Sequence, residues 1–275
     1  MAHPDRLEAL ALAKRATNSV IDEIQRLPGL LNEVHRLIEK RRRRFALTGS
    51  SARKLRRGGA NLLACRARTL AIHPLTAREL GEKFDLGHSL RFGQLPMVYG
   101  VSDPAAYLSS FDLLDDLLLS VRLPVFARRA KRPLLSHRKF YLFDAGVYRA
   151  LRPRGPLDSA EEIDGPAVET LVLEELRATN ENLALGYEIH YWHTRDHKEV
   201  DFVLYGKGGL LAFEVKRSST YRARDLDTLR LFSGDYPMAR CFLLYGGKAA
   251  YEVDGIRVLP LHEALPTLGE LLSGA

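Results

Sequence analysis

The stretch from Glu199 to Ser219 constrains the fold of this 275-residue chain more than any other part of the sequence. Two runs rich in β-branched and aromatic residues flank the glycine-rich loop Gly206-Lys-Gly-Gly209. Runs of this kind around a short loop predict a β-hairpin. If Tyr205 and Leu210 close the loop, the register of the whole hairpin follows, because each step away from the turn pairs one residue of either strand.

The predicted register places two carboxylates opposite each other. Asp201 faces Glu214 and Glu199 faces Lys216, with Glu214 and Lys216 on the same face of their strand. Opposite Cβ atoms lie about 5 Å apart, so two like charges repel by about 3 kcal/mol at an effective dielectric constant of about 20. A cation between the carboxylates would relieve this repulsion. Carboxylate ligands completed by water and phosphate favour Mg²⁺ or Mn²⁺, and Lys216 would polarise the attacked phosphate or orient a water.

Asp201 followed by Glu214-Val-Lys216 resembles the active-site signature of the PD-(D/E)xK, or restriction-endonuclease-like, nuclease fold. Such folds add an acidic residue from a preceding helix, and residues 165–176 predict a helix that carries Glu169. The resemblance implies Mg²⁺-dependent phosphodiester hydrolysis with Asp201 and Glu214 as metal ligands, Lys216 as activator and Glu169 as accessory acid. The signature is short, and it also arises by chance in sheets and persists in inert modules that bind DNA or protein.

The composition is that of a folded protein, with 46% hydrophobic and 27% charged residues. No run of 18 apolar residues occurs and the first residues lack an apolar signal region, which predicts a cytoplasmic protein without a membrane segment. The two cysteines, Cys65 and Cys241, are too few for a disulfide framework. The spacing of His190, His193 and His197 matches no zinc-binding pattern.

The net charge of +7 is concentrated in the first third of the chain. Residues 1–80 contain 17 Lys and Arg against 7 Asp and Glu, a net charge of +10, whereas residues 81–275 contain 24 against 27 and carry −3. A concentrated positive patch favours a polyanion such as nucleic acid, because phosphate neutralisation releases counterions. A solvated basic face is the alternative.

An apolar strand is predicted for residues 19–23, where it ends in Asp22-Glu23, and a helix is predicted across residues 30–40. A strand with this ending is typical of a Walker B element, in which Asp22 would hold Mg²⁺ through water and Glu23 would polarise the water that attacks ATP. The same dipeptide is also common at the N-terminus of a helix, which favours negative charge.

A second strand is predicted for residues 45–48. Together with Val20-Ile-Asp-Glu-Ile-Gln-Arg-Leu-Pro28, it resembles a family of prokaryotic AAA-type ATPases that carry a C-terminal domain of unknown function, itself similar to the PD-(D/E)xK fold. The resemblance implies that Thr48 and Ser50 lie at the end of the sensor-1 strand beside the γ-phosphate. It places Arg66 in the position of an arginine finger.

The family's phosphate-binding loop, Gly-x-x-x-x-Gly-Lys-Ser/Thr, is missing from the 275 residues. The segments 206–209 and 246–249 lack its spacing and its hydroxyl group, and both are typical of hairpin turns. ATP is therefore the cofactor that the resemblance implies, but Asp22 and Glu23 have no anchored nucleotide to act on. We expect no ATPase activity unless a partner chain donates the loop.

The predicted architecture is α/β, with a restriction-endonuclease-like domain behind a truncated AAA-type domain. Residues 1–108 form the truncated AAA-type nucleotide-binding domain, residues 109–158 a shortened winged-helix-like connector, and residues 159–275 the nuclease-like domain. Residues 151–165 predict a linker. The cations of residues 128–132 would lie on a wing along a DNA backbone or be solvated. A protein partner is expected to cover the apolar surface of the truncated domain.

Overall fold

A computed structural model describes residues 18–24, 27, 29–49, 67, 68, 70, 72–99, 120–135, 137–152 and 160–274. The chain divides into two compact units, residues 1–70 and residues 71–275. None of the helices in these described ranges is long and apolar enough to cross a lipid bilayer.

The first unit contains two parallel strands and an amphipathic helix. Strand β1 is Asn18–Ile21, helix α1 is Leu30–Arg41 and strand β2 is Arg44–Leu47. The strands pair in parallel, with Ile21 opposite Leu47. Buried Ile24, Leu31 and Val34 form a small core against the strands, as the apolar spacing of the helix predicts. Both predicted strands and the helix predicted across residues 30–40 are present.

The second unit is built on a mixed sheet surrounded by helices. Its strands are β3 Ser120–Leu123, β4 Lys139–Leu142, β5 Glu188–His193, β6 Glu199–Gly206, β7 Gly209–Lys216, β8 Arg240–Tyr245, β9 Tyr251–Val253 and β10 Ile256–Pro260. Its α-helices are α2 Ala77–Leu80, α3 Leu86–Phe92, α4 Pro96–Tyr99, α5 Ala145–Leu151, α6 Ala160–Asn182, α7 Asp227–Asp235, α8 Leu261–Ala264 and α9 Leu268–Ser273. Short 3₁₀ helices cover Gly81–Lys83 and Ala223–Leu226.

The six-stranded sheet has the order β5-β6-β7-β8-β10-β9. Strands β7, β8 and β10 pair in parallel at its centre, and β5, β6 and β9 are antiparallel to their neighbours. The central strands are continuous runs of buried apolar residues, because helices cover both faces of this part of the sheet. The prediction of an α/β fold with a mixed sheet is confirmed.

Two hydrophobic clusters lie on the two faces of this sheet. On one face, Leu171 and Leu176 of α6 pack with Phe213 of β7 and Phe242 of β8, whose rings stack 4.8 Å apart. On the other face, the residues of α7, including Phe232, pack with apolar residues of β6, β7 and β8. Helix α6 is therefore buried along most of its circumference, and it fixes the position of every side chain that it points at the sheet.

Helix α6 begins earlier than the sequence predicts. The sequence predicts a linker for residues 151–165, but residues 160–165 form the first turns of α6. Asp164 accounts for this, because it is buried and forms ion pairs with Arg149 of α5 and, at 2.6 Å, with Arg217 after β7. These ion pairs attach the first turns to the domain in spite of Pro166.

The segment between β3 and β4 lies along the edge strand β5 of the sheet. Val125 forms a bridge to Tyr191 and Leu134 forms one to Thr194. The N–H of Phe126 donates to the carbonyl of Tyr191 at 2.7 Å. The segment therefore covers backbone groups that would otherwise form an open sheet edge.

Most cations of the basic run in this segment are bound to the domain itself. Arg132 forms two hydrogen bonds to buried Asp235, at 2.5 and 2.9 Å, and Arg128 lies over the ring of Tyr205 at 4.5 Å. Lys131 donates to a backbone carbonyl at 3.3 Å. These side chains therefore attach the segment to the sheet, and a winged helix in residues 109–158 remains a prediction because residues 101–119 are outside the described ranges.

The two glycine-rich segments have different roles. Gly206 pairs with Gly209 at the end of the β6–β7 hairpin, as predicted, and Gly209 has a φ of 114°, which favours glycine. The prediction of a hairpin turn at residues 246–249 is wrong. That segment leads from β8 to β9, and these two strands are separated by β10 in the sheet.

Candidate active site in the acidic hairpin

The β6–β7 hairpin brings the predicted carboxylates together. Tyr205 pairs with Leu210 as predicted, and the ladder continues in the same register to Phe202 and Phe213. The described backbone pairing stops one residue further along, at Asp201. There the side chain makes the contact between the strands, because Asp201 Oδ2 accepts the backbone N–H of Val215 at 2.9 Å. The strands therefore separate at Asp201, and a carboxylate lies in the fork between them.

Glu214 lies on the opposite strand at the same level of the hairpin and is also buried, with 6% of its surface exposed against 7% for Asp201. Its Oε1 accepts a hydrogen bond from Lys216 Nζ at 2.6 Å. Its Oε2 is buried and has no hydrogen-bond partner among the described residues. An unpartnered buried carboxylate oxygen is costly, so this atom indicates room for a ligand that carries positive charge.

Helix α6 contributes Glu169, the third predicted acid. Glu169 Oε2 accepts hydrogen bonds from Tyr141 Oη at 2.8 Å and from Lys139 Nζ at 2.9 Å. Tyr141 and Lys139 are both on β4, two residues apart and therefore on the same face of the strand. The three parts of the predicted site, namely β6, β7 and α6, thus converge, with β4 as a fourth contributor.

Lys139 is the residue of this site that the sequence did not predict. Its Nζ lies 2.5 Å from Glu199 Oε1, 2.9 Å from Glu169 Oε2 and 3.6 Å from Asp201 Oδ1. The predicted register pairs Glu199 with Lys216, but the described ladder ends before that pair and Glu199 binds Lys139 instead. The expected cation beside the acidic pair is thus supplied in part by a lysine from another strand.

Burial and mutual repulsion alter the acidity of the site. Burial, followed by the charges of Glu214 and Glu169, raises the pKa of Asp201 well above its ordinary value. Burial also raises the pKa of Glu214, to about 6, although Lys216 opposes the shift. For Lys216 burial lowers the pKa, but the neighbouring Glu214 outweighs it and the net shift is upward. The upward shifts of both carboxyl groups thus have the same causes, namely burial and the repulsion between neighbouring acids.

A histidine borders the site on the side of β5. His193 Nδ1 lies 3.5 Å from Glu199 Oε2, and its ring centre lies 6.1 Å from that of His197 and 6.4 Å from that of His137. Burial, together with the neighbouring His197, His137 and Lys139, lowers the pKa of His193, although Glu199 opposes the shift. His193 therefore contributes an uncharged ring next to Glu199 at neutral pH.

No group of three or more His, Cys, Asp or Glu side chains within the described ranges has the arrangement of a finished metal centre. The donor atoms of the acidic site nevertheless have the chemistry that Mg²⁺ requires, because all are carboxylate oxygens. The buried and unpartnered Glu214 Oε2 next to Asp201 fits such an ion. Asp201 and Glu214 thus remain the predicted metal ligands, with Lys216 and Glu169 as the predicted catalytic groups.

The other predicted site residues belong to the first unit. The carboxyl ends of β1 and β2 lie side by side, and Asp22 accepts a hydrogen bond from the Thr48 hydroxyl. The N–H of Glu23 contacts the same hydroxyl at 3.4 Å. The parallel pairing therefore brings Asp22, Glu23 and Thr48 to one edge, whereas Ser50 and Arg66 lie outside the described residues.

Comparison with known families finds two separate matching regions in the chain. Residues 3–81 match the model of an AAA domain. Residues 164–264 match a domain of unknown function, DUF4143. Together, the matches support an AAA-type family that carries a domain of unknown function. The acidic site lies in the matched C-terminal domain, apart from Lys139 and Tyr141, which precede it in the sequence.

Two mycobacterial proteins are similar to this chain along almost its whole length. They are the uncharacterized proteins Rv2008c of Mycobacterium tuberculosis and Mb2031c of Mycobacterium bovis. Each is 26% identical over 329 residues, which cover 96% of this chain and 73% of the relative. Because the aligned length exceeds the 275 residues of this chain, the relatives contain residues without a counterpart here. No solved structure matches the chain.

Proposed function

We propose that the C-terminal domain is a Mg²⁺-dependent phosphodiesterase that acts on nucleic acid. The observation that supports this function is that Asp201, Glu214 and Lys216 of the hairpin lie in one cluster with Glu169 of α6, which Lys139 joins to Asp201. In this cluster Glu214 Oε2 is buried and has no hydrogen-bond partner among the described residues. A site of this kind combines hard oxygen ligands with a lysine positioned beside them, which suits phosphoryl chemistry. Nucleic acid is the proposed substrate because residues 1–80 carry a net charge of +10.

Each residue has a defined part in this proposal. Asp201 and Glu214 would hold Mg²⁺ with their carboxylates, and a bound Mg²⁺ supplies a polarised phosphate and a water of lowered pKa. Lys216, whose ammonium lies 2.6 Å from Glu214, directs positive charge toward the phosphate. Glu169 is held by Tyr141 and Lys139, and it keeps the cation of Lys139 next to the reacting groups.

A second function is favoured by one specific observation. Lys139 already forms ion pairs with Glu169, Glu199 and Asp201, so part of the acidic cluster is neutralised without a metal. A cluster neutralised in this way suits a non-catalytic module that binds DNA or protein. The two functions differ in whether Asp201 and Lys216 are needed for a chemical step.

The first test is cleavage of labelled single-stranded, double-stranded and branched DNA and of RNA by the full chain, with Mg²⁺ or Mn²⁺. We expect metal-dependent cleavage that both Asp201→Asn and Lys216→Ala abolish, each by about 100-fold or more. Lys248→Ala, at an exposed lysine of the same domain, is the matched control and should cleave like the wild type. Cleavage of no substrate, or cleavage that survives both substitutions, would assign the domain to the binding class.

We also propose that these 275 residues do not hydrolyse ATP by themselves, because the phosphate-binding motif does not occur among them. Isothermal titration of the purified chain with ATP and Mg²⁺ tests this proposal. Micromolar binding without a partner would contradict it. If a partner chain supplies the loop and covers the first unit, a pull-down should recover a protein that contains this motif.

A further inference from the structure

Lys139 has an unusual position for a lysine, at the centre of an acidic cluster. Three carboxylates from two elements surround its ammonium, at distances from 2.5 to 3.6 Å. The lysine comes from β4, which is not part of the six-stranded sheet. Only 27% of its side chain is exposed, so its charge is held in place by these contacts.

The cluster has two positions that a cation can occupy. At the first, Glu169, Glu199 and Asp201 Oδ1 surround Lys139 Nζ. At the second, Glu214 Oε2 is buried and has no hydrogen-bond partner in the described part of the chain. Asp201 borders both positions, because its Oδ1 lies 3.6 Å from Lys139 Nζ and its Oδ2 accepts the N–H of Val215, the residue that follows Glu214. The first position is therefore filled by an ammonium group and the second is the one left for a metal.

The charges of the cluster agree with this distribution. Metal ligation requires ionised Asp201 and Glu214, and Glu169 and Glu199 form ion pairs with Lys139, so the four carboxylates together contribute −4. Lys139 and Lys216 contribute +2, which leaves −2. One divalent ion neutralises that remainder, whereas a second ion would leave a buried excess of positive charge.

We propose that Lys139 takes the place of a second divalent cation, so that the site binds a single metal ion, between Asp201 and Glu214. This inference rests on the proposed function, since it specifies how the same site binds its metal. Lys139 is then a positioning residue with a fixed charge, and its removal creates a second metal position lined by Glu169, Glu199 and Asp201.

The test is the binding of Mn²⁺ alone to the full chain at pH 7.5. Isothermal titration calorimetry and electron paramagnetic resonance of the free ion measure how many ions bind. The wild type is expected to bind one Mn²⁺ per chain, and Asp201→Asn is expected to bind none. Lys139→Met is expected to bind two Mn²⁺ per chain. Lys139→Arg keeps the charge and should retain a stoichiometry of one.

Lys207→Met is the matched control, because it removes the same charge from the turn of the hairpin and should bind one Mn²⁺. If Lys139→Met does not fold, Lys139→Gln replaces it, since the amide can still donate hydrogen bonds to the carboxylates. The same stoichiometry of two is expected for it.

The possible results are distinguishable. Two ions bound to the wild type, or one ion bound with unchanged affinity after the loss of the Lys139 charge, would overturn the inference and leave the proposed function intact. No ion bound to the wild type would contradict the metal-dependent function itself, and the inference with it. A single ion that binds only after removal of Lys139 would overturn the inference as well, because Lys139 would then block the site.

Discussion

At the residue scale, the acidic site depends on how buried charges are compensated. Asp201 and Glu214 are both buried, and only one of their four carboxylate oxygens, Glu214 Oε1, has a cation within 3 Å among the described residues. Burial raises the pKa of both groups because the surrounding lysines do not fully replace water. The incompletely compensated charges of the site therefore lower the free energy of unfolding, and binding of a metal ion would raise it.

Asp201→Asn tests this cost directly. The amide oxygen can still accept the N–H of Val215, while the charge that opposes Glu214 is lost. We expect the metal-free variant to melt at or above the temperature of the wild type at pH 8, and Mg²⁺ to raise the melting temperature of the wild type but not that of Asp201→Asn. Differential scanning fluorimetry with and without Mg²⁺ measures both. Glu252→Gln, on the exposed strand β9, is the control and should respond to Mg²⁺ as the wild type does.

Glu175 provides a prediction about pH. It is 1% exposed, and although the N–H of Ala77 donates to it, burial raises its pKa to about 7. The folded protein then keeps a proton that the unfolded chain loses near pH 4.5, so stability present in acid is lost as the pH rises toward 7. The contribution of this group to the loss is at most about 3 kcal/mol.

Urea denaturation of the wild type and Glu175→Gln at pH 5 and pH 8 measures this contribution. We expect the free energy of unfolding to fall more steeply with pH in the wild type, because the variant has no proton to lose at this position. Other buried acids titrate in both proteins and cancel in the comparison. Equal slopes would show that Glu175 is ionised throughout this range.

At the scale of elements, the hairpin could be predicted from the sequence and the contribution of β4 could not. The β6–β7 register depends on residues within a few positions of a glycine-rich turn, so it follows from local rules. Lys139 reaches the site from 60 residues before Glu199, and no local pattern encodes that distance. The one available signal was Lys139 two residues before Tyr141, which places a lysine on the buried face of a short strand.

Two other differences between the predicted and the observed elements also have tertiary causes. The early start of α6 depends on ion pairs of Asp164 with two separate elements, and the turn predicted at residues 246–249 is a connection because β10 inserts between its neighbours. The long-range order of strands and the partners of buried charges are tertiary properties. The predicted α/β class needed only the alternation of strands and helices along the chain.

The packing of α3 against α5 gives a prediction about an element. A methyl group on Gly146 of α5 would collide with the backbone carbonyl of Phe92 at the end of α3. We expect Gly146→Ala to lower the free energy of unfolding by about 1 to 3 kcal/mol, because a backbone must move. Gly165→Ala in α6 is the matched control, since open space surrounds that position, and it should be neutral or stabilising by up to about 1 kcal/mol. Chemical denaturation of both variants decides the matter.

At the scale of the whole molecule, residues 71–275 form one compact unit that extends beyond the matched C-terminal domain. Residues 124–135 cover the edge strand β5, and β4 supplies Lys139 and Tyr141 to the acidic site. The domain boundary predicted at residue 159 separates these segments from the sheet that they complete. The structural unit and the sequence family therefore have different limits.

Two fragments test this difference. Residues 71–275 are expected to unfold cooperatively at a temperature close to that of the full chain. Residues 159–275 should melt about 10 °C lower, the shift expected for about 3 kcal/mol in a domain of this size, because an edge strand and the acids around Lys139 become exposed. Calorimetry of both fragments measures the shift. Equal melting temperatures would mean that the preceding segments add nothing to the stability of the sheet.

The fork at Asp201 also bears on how the relatives should be compared. Asp201 accepts the N–H of Val215, so it completes the backbone pairing of the hairpin whether or not any chemistry takes place. Selection for folding alone would preserve an aspartate or asparagine there in lineages that have lost activity. The side chain of Lys216 is 39% exposed, and among the described residues its ammonium group bonds to the Glu214 carboxylate and to no backbone group. In an alignment, persistence of the lysine rather than of the aspartate is therefore the mark of a site still under selection for catalysis.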